Sequence, residues 1–66
     1  MALTAAEAKE AIDSLDVQQG TIARKMGISG TLLSLWLNGK RPAPPARLQE
    51  AVSFAKRIHK AIEAVR

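Results

Sequence analysis

Apolar residues recur at helical intervals along most of the chain, and the interruptions fall where helices must end. Ala5, Ala8, Ile12 and Leu15 are spaced three, four and three apart, which makes one stripe on a helix predicted over 5–15. Glu7, Lys9, Glu10 and Asp13 occupy its polar side. Thr4 precedes the helix and Glu7 follows three residues later, the spacing at which each side chain satisfies a free amide of the first turn.

A second helix is predicted over 19–26, with Ile22, Ala23 and Met26 facing inward. Gly27 ends it in a left-handed conformation that glycine adopts at little cost. Ile28 plugs the turn and Ser29 caps a third helix, predicted over 30–38. Leu33 and Trp36 are expected to point inward with Leu37 nearby, and Asn38-Gly39 closes the helix. Lys40, Arg41, Pro42, Ala43 and Pro44 read as a stiff basic connector. Pro45 suits a first helical position, because its missing amide proton costs nothing there. From it a long helix is predicted over 45–65. Leu48, Ala51, Ala55, Ile58, Ile62 and Val65 form a seam with alternating spacings of three and four. Val52 and Phe54 widen the seam at its start, and Lys56, Arg57, Lys60 and Arg66 populate other faces.

The expected fold is therefore all-α: a compact four- to five-helix domain, single over residues 1–66, with a central helix-turn-helix over 17–42. The fifth helix would arise if the chain bends between Ser53 and Lys56. The first half of the long seam is expected to close the core. Ile58, Ile62 and Val65 outrun what the short first helix can cover, so they are the candidate contacts of a homodimer.

Sixty-six residues bury a modest core. The chain has no cysteine, so disulfides and thiolate metal sites are excluded, as expected of a protein in a reducing cytosol. No apolar run is long enough to span a membrane, and the N-terminus lacks the pattern of a signal peptide. His59 stands without the partners that would make a metal site. No constellation of nucleophile, base and orienting group is present, and no glycine loop that cradles phosphate. The expectation is a non-enzyme with no catalytic residues, no metal, no cofactor and no small-molecule substrate.

Charge sharpens this picture. The net charge is +4, unevenly placed. Residues 1–16 carry Glu7, Glu10, Asp13 and Asp16 against Lys9, a net of −3. Residues 17–66 carry nine basic side chains against Glu50 and Glu63, a net of +7. The stretch 17–42 holds Arg24, Lys25, Lys40 and Arg41 and no acid, so a polyanion would be drawn to one side of the molecule.

The order Gln19, Ile22-Ala23, Gly27-Ile28-Ser29, Leu33-Ser34, Trp36 and Asn38-Gly39 resembles the helix-turn-helix of the Cro and repressor family of phage and bacterial regulators. It is also similar to modules at the front of phage transposition ATPases, which help capture target DNA. The resemblance implies a lambda repressor-like fold, double-stranded DNA as partner, a role as a small transcriptional regulator or DNA-capture module, and the cytoplasm of a bacterial or phage-infected cell. It places Gly30, Thr31, Ser34 and Leu35 toward the bases of the major groove. It assigns Gln19, Ser29, Asn38, Lys40, Arg41 and the backbone after Gly39 to phosphates.

The chain departs from the family's pattern at two places. Gly30 stands where many members carry a base-reading side chain, and Leu32, Leu35 and Leu37 are apolar where exposed positions are expected. Thr31 and Ser34 are the only polar side chains left on the reading face, which implies weak direct readout and a large phosphate contribution. Gly20 inside the second helix is costly against alanine, which points to a close approach by DNA or by another helix. The alternative reading is a protein-interaction or dimerisation module on the same scaffold, with Leu32, Leu35 and Leu37 as its patch. Gln19 is alternatively a plain helix cap, and Lys40 and Arg41 solvated loop charges.

Overall fold

The computed structural model describes residues 3–65. They form four helices and no strand: α1 (Ala5–Ser14), α2 (Gln19–Met26), α3 (Gly30–Leu37) and α4 (Pro45–Val65). The capping box of α1 is made. Thr4 Oγ1 accepts from the Glu7 amide at 3.1 Å, and Glu7 Oε1 accepts from the Thr4 amide at 3.2 Å. Leu15 caps the far end, and Asp16 turns the chain with a φ of 56°. Val17 then drops into the core ahead of α2.

The core is assembled from all four helices. Ala8 and Ile12 come from α1, Ile22, Ala23 and Met26 from α2, Leu33 and Leu37 from α3, and Leu48, Ala51 and Ala55 from α4. Four of these are alanines, which lets the helix axes approach closely with little side-chain volume between them. No polar side chain is buried among the described residues.

One expectation is narrowed here and one corrected. First, α4 runs unbroken for 21 residues, so the domain takes the four-helix form of the expected four- to five-helix fold. Nothing between Ser53 and Lys56 interrupts it: no glycine or proline follows Pro45 in this helix, and its apolar register continues without a shift. Second, the inward-facing partner of Leu33 is Leu37, which is 2% exposed, while Trp36 lies half-buried at the core's margin. Successive residues turn by about 100° at 3.6 per turn, so the position four after Leu33 lies closer to its direction than the position three after.

His59 ties α4 to the end of α1. Its Nδ1 lies 3.1 Å from the Leu15 carbonyl oxygen, and its Nε2 lies 3.9 Å from Glu63 Oε1. Beyond this point α4 outruns its neighbour. A helix of 10 residues spans about 15 Å and one of 21 about 31 Å, so α1 cannot cover α4 to its end. Ile58 still packs against the core, but Ile62 is 46% exposed and Val65 86%. Arg66 lies outside the described residues.

Candidate nucleic-acid interface

The unit α2–turn–α3 is closed by backbone hydrogen bonds at Gly27. This residue has φ 75° and ψ 27°. Its amide donates to the Arg24 carbonyl at 3.2 Å, and the Ile28 amide donates to the Ala23 carbonyl at 3.0 Å, which satisfies two carbonyls at the end of α2. Ile28 packs on the core, and Ser29 opens α3 by accepting from the Leu32 amide at 3.1 Å. The oxygen of Ser29 is thus spent on the cap, leaving its hydroxyl proton to donate.

The three short helices differ at their N-termini. Thr4 caps α1 and Ser29 caps α3, but Gln18, at the cap position of α2, makes no side-chain hydrogen bond. Gln19 is the first residue of α2, half-buried, and its side chain caps nothing. The first amides of α2 therefore face outward unpaired by side chains, a position where anions are favoured.

Gly20 and Gly30 are neighbours across the two helix starts. A Cβ built on Gly30 would lie 3.8 Å from the Gly20 Cα, so the N-terminal ends of α2 and α3 sit side by side. This is ordinary van der Waals contact rather than a clash, and a Cβ on Gly20 would meet nothing within 4 Å. Packing inside the protein therefore requires no glycine at position 20. Gly30 is exposed, yet the side of it where a side chain would grow leans on α2.

Thr31, Ser34 and Leu35 share one face of α3, with Thr31 exposed and the other two half-exposed. Leu32 is also half-exposed, and neither Leu32 nor Leu35 belongs to the core cluster. Leu37 does belong to it, which removes it from any exposed leucine patch.

The far end of α3 holds a polar network that joins Lys9, Ser34 and Asn38. Asn38 Nδ2 donates to the Ser34 carbonyl at 2.8 Å and to Ser34 Oγ at 3.2 Å. Asn38 Oδ1 accepts from Lys9 Nζ at 2.9 Å. Both amide protons of Asn38 are thereby committed within the protein, so Asn38 fixes the end of α3 and holds Lys9 beside it. The backbone after Gly39 is committed too. The amides of Lys40 and Arg41 both donate to the Leu35 carbonyl, at 2.9 and 3.3 Å, corrected from the expectation that they stay open for phosphate. Gly39, at φ 72°, makes this reversal, and a side chain there would be strained. What the loop presents outward is the side chains of Lys40 and Arg41, both exposed and neither ion-paired among the described residues.

Lys9 is the residue that sequence reasoning missed. Read along α1 it belongs to an acidic, solvated face. In three dimensions its ammonium stands at the C-terminal end of α3, a helix with no basic residue in its own last turn. No spacing within 1–16 signals this, because the partner is 29 residues away.

Ile58, Ile62 and Val65 line an open groove between α2 and the end of α4, to which α3 contributes no lining residue. No family model matches the chain, and no curated protein or solved structure matches it either.

Proposed function

We propose that this domain binds duplex DNA, with the Thr31–Ser34–Leu35 face of α3 in the major groove. The observation that supports the reading best is the arrangement at the two ends of α3. Beside its N-terminus lies the uncapped start of α2 with Gln19, and around its C-terminus stand the cations Lys9, Lys40 and Arg41. Eight residues of helix separate the two ends by about 12 Å, close to the roughly 12 Å width of the B-DNA major groove. Phosphates on the two rims would then meet an anion-favouring helix start on one side and three cations on the other.

In this reading Gln19 and the α2 amides hold one strand. Lys9, Lys40 and Arg41 hold the other, and Ser29 donates its hydroxyl proton to a nearby phosphate. Asn38 positions Lys9 and takes no phosphate itself. Thr31 supplies a hydroxyl free both to donate and to accept, while Ser34 Oγ accepts from Asn38 and keeps its proton to donate. Leu35 and Leu32 offer apolar contact to thymine methyls. Sequence preference is therefore shallow and affinity strongly electrostatic, as suits a small regulator or a DNA-capture module.

The test is fluorescence anisotropy of a labelled mixed-sequence duplex at several salt concentrations. Affinity should fall linearly in log–log form. Absence of binding at low salt overturns the reading and leaves the half-exposed Leu32 and Leu35 as a protein-docking face. Leu35→Lys separates the two directly: DNA binding survives or tightens, whereas docking of a protein on that face collapses.

A further inference from the structure

The C-terminal half of α4 and the outer side of α2 enclose an open groove of about 830 Å³. Its floor is apolar: Phe54, Ile58, Ala61 and Ile62, one face of α4 over more than two turns. Its rims are cationic. Lys25 stands on the α2 side and Arg57 on the α4 side, and no acidic residue among those described lines the groove. The Arg57 guanidinium carbon lies 5.9 Å from the centroid of the Phe54 ring, so that charge is held directly above the apolar floor.

We propose that this groove receives an amphipathic helix of a partner protein, one whose apolar ridge at i, i+4 and i+7 is flanked by Asp or Glu. The floor accepts the ridge and the two rims accept the acids. Charge complementarity selects this occupant over a second copy of the chain. The exposed apolar residues of α4 are accompanied by Lys56, Arg57 and Lys60 against the single acid Glu63, so docking α4 of another copy would set a net positive helix against Lys25 and Arg57. The acidic helix α1 carries Glu7, Glu10 and Asp13, but its apolar residues Ala8 and Ile12 are wholly buried. Of the helices of a second copy, only α4 offers an exposed apolar ridge, and the one acid beside it, Glu63, is outnumbered by Lys56, Arg57 and Lys60. The groove lies apart from the α3 face, so the proposal stands whether or not the domain binds DNA.

The test uses the 66-residue chain and two synthetic helical peptides with the same leucine ridge, one flanked by glutamate and one by lysine. Each is titrated into ¹⁵N-labelled protein without DNA. The acidic peptide should shift the amides of Thr21, Lys25, Ala61 and Ile62 saturably, and the basic peptide should not. The double variant Lys25→Glu, Arg57→Glu should lose about tenfold in affinity for the acidic peptide and gain affinity for the basic one. Both positions are exposed, and circular dichroism checks that the variant is folded. No shift with the acidic peptide, equal binding of both peptides, or shifts confined to α3 overturns the proposal. Sedimentation equilibrium should give a monomer. A dimer abolished by Ile62→Asp assigns the groove to a second copy and overturns it as well.

Discussion

The α2–turn–α3 unit and the C-terminal half of α4 are written in the same sequence idiom, apolar residues every three or four positions, and they end differently. In the first, the inward apolar positions meet another helix: Ile22, Ala23, Leu33 and Leu37 are essentially sealed from solvent, while Leu32 and Leu35 on the outer face stay half-exposed. In the second, the seam continues through Ile62 and Val65 after its neighbours have stopped. Periodicity states which face of a helix is apolar. It does not state what lies across from that face, because this depends on how far the neighbouring helices reach.

The largest expected effect sharpens that contrast. Leu33→Ala removes a fully buried side chain at the junction of the helices and should cost about 2–5 kcal/mol, a large share of the stability of so small a domain. Ile62→Ala and Val65→Ala should each fall within about 0.5 kcal/mol of the parent. Urea unfolding followed by circular dichroism measures all three. A loss above about 1.5 kcal/mol at Ile62 would mean that the groove is covered in solution, and the contrast between the two regions would break.

The next test addresses the cations around the end of α3. On the DNA reading, Lys40→Ala with Arg41→Ala should weaken binding to every duplex and lower the log–log salt slope by about two, and Lys9→Ala should lower it by about one more. An unchanged slope in the Lys9 variant would confine that side chain to bracing Asn38. Ile62→Ala, on the other region, should leave the slope where it was.

Helix boundaries were legible because their chemistry is local. Thr4 with Glu7, Gly27 with Ser29, and Pro45 each act on backbone groups within a few residues, and α2 falls at the bounds its pattern predicts. The core was legible for the same reason, except where Leu37 and Trp36 compete for one inward direction and only packing decides. The candidate site was legible in part. Thr31, Ser34 and Leu35 share a face, as their spacing requires, and Lys40 and Arg41 project outward. The rest depends on contacts between distant segments. Lys9 reaches Asn38 from another helix, the amides of Lys40 and Arg41 turn back on Leu35, and Gly20 meets Gly30. The first two pairings leave no trace in spacing or composition, and Gly20 signals a neighbour without naming it.

The start of α2 supports a finer test of what its missing cap is for. Gln18 has φ −69° and ψ 133°, the extended geometry of a cap residue, but its side chain bonds no amide. Gln18→Asp should add the missing acceptor and stabilise the fold by about 1 kcal/mol, the mirror of the loss expected from Ser29→Ala at α3. If the open amides serve a phosphate, the same carboxylate should weaken DNA binding. A gain in stability with no loss of affinity would remove the α2 terminus from the interface.

The smallest effect concerns Gly20. Its place in the first turn of α2 is sterically open, its φ is not in the positive region, and a methyl group there would meet nothing within 4 Å. Gly20→Ala should therefore raise the melting temperature slightly, by no more than the roughly 1 kcal/mol that separates the two residues in a helix interior, since first-turn positions gain less. Stability and DNA affinity again separate the readings. Inside the protein, Gly30 lies against the Gly20 Cα with room for a Cβ at ordinary contact distance, and a methyl on Gly20 leaves that contact alone. If affinity drops while stability rises, the glycine is kept for the approach of a phosphate backbone to the α2 amides. If both hold or rise, it is kept for neither, and the open end of α2 binds with room to spare.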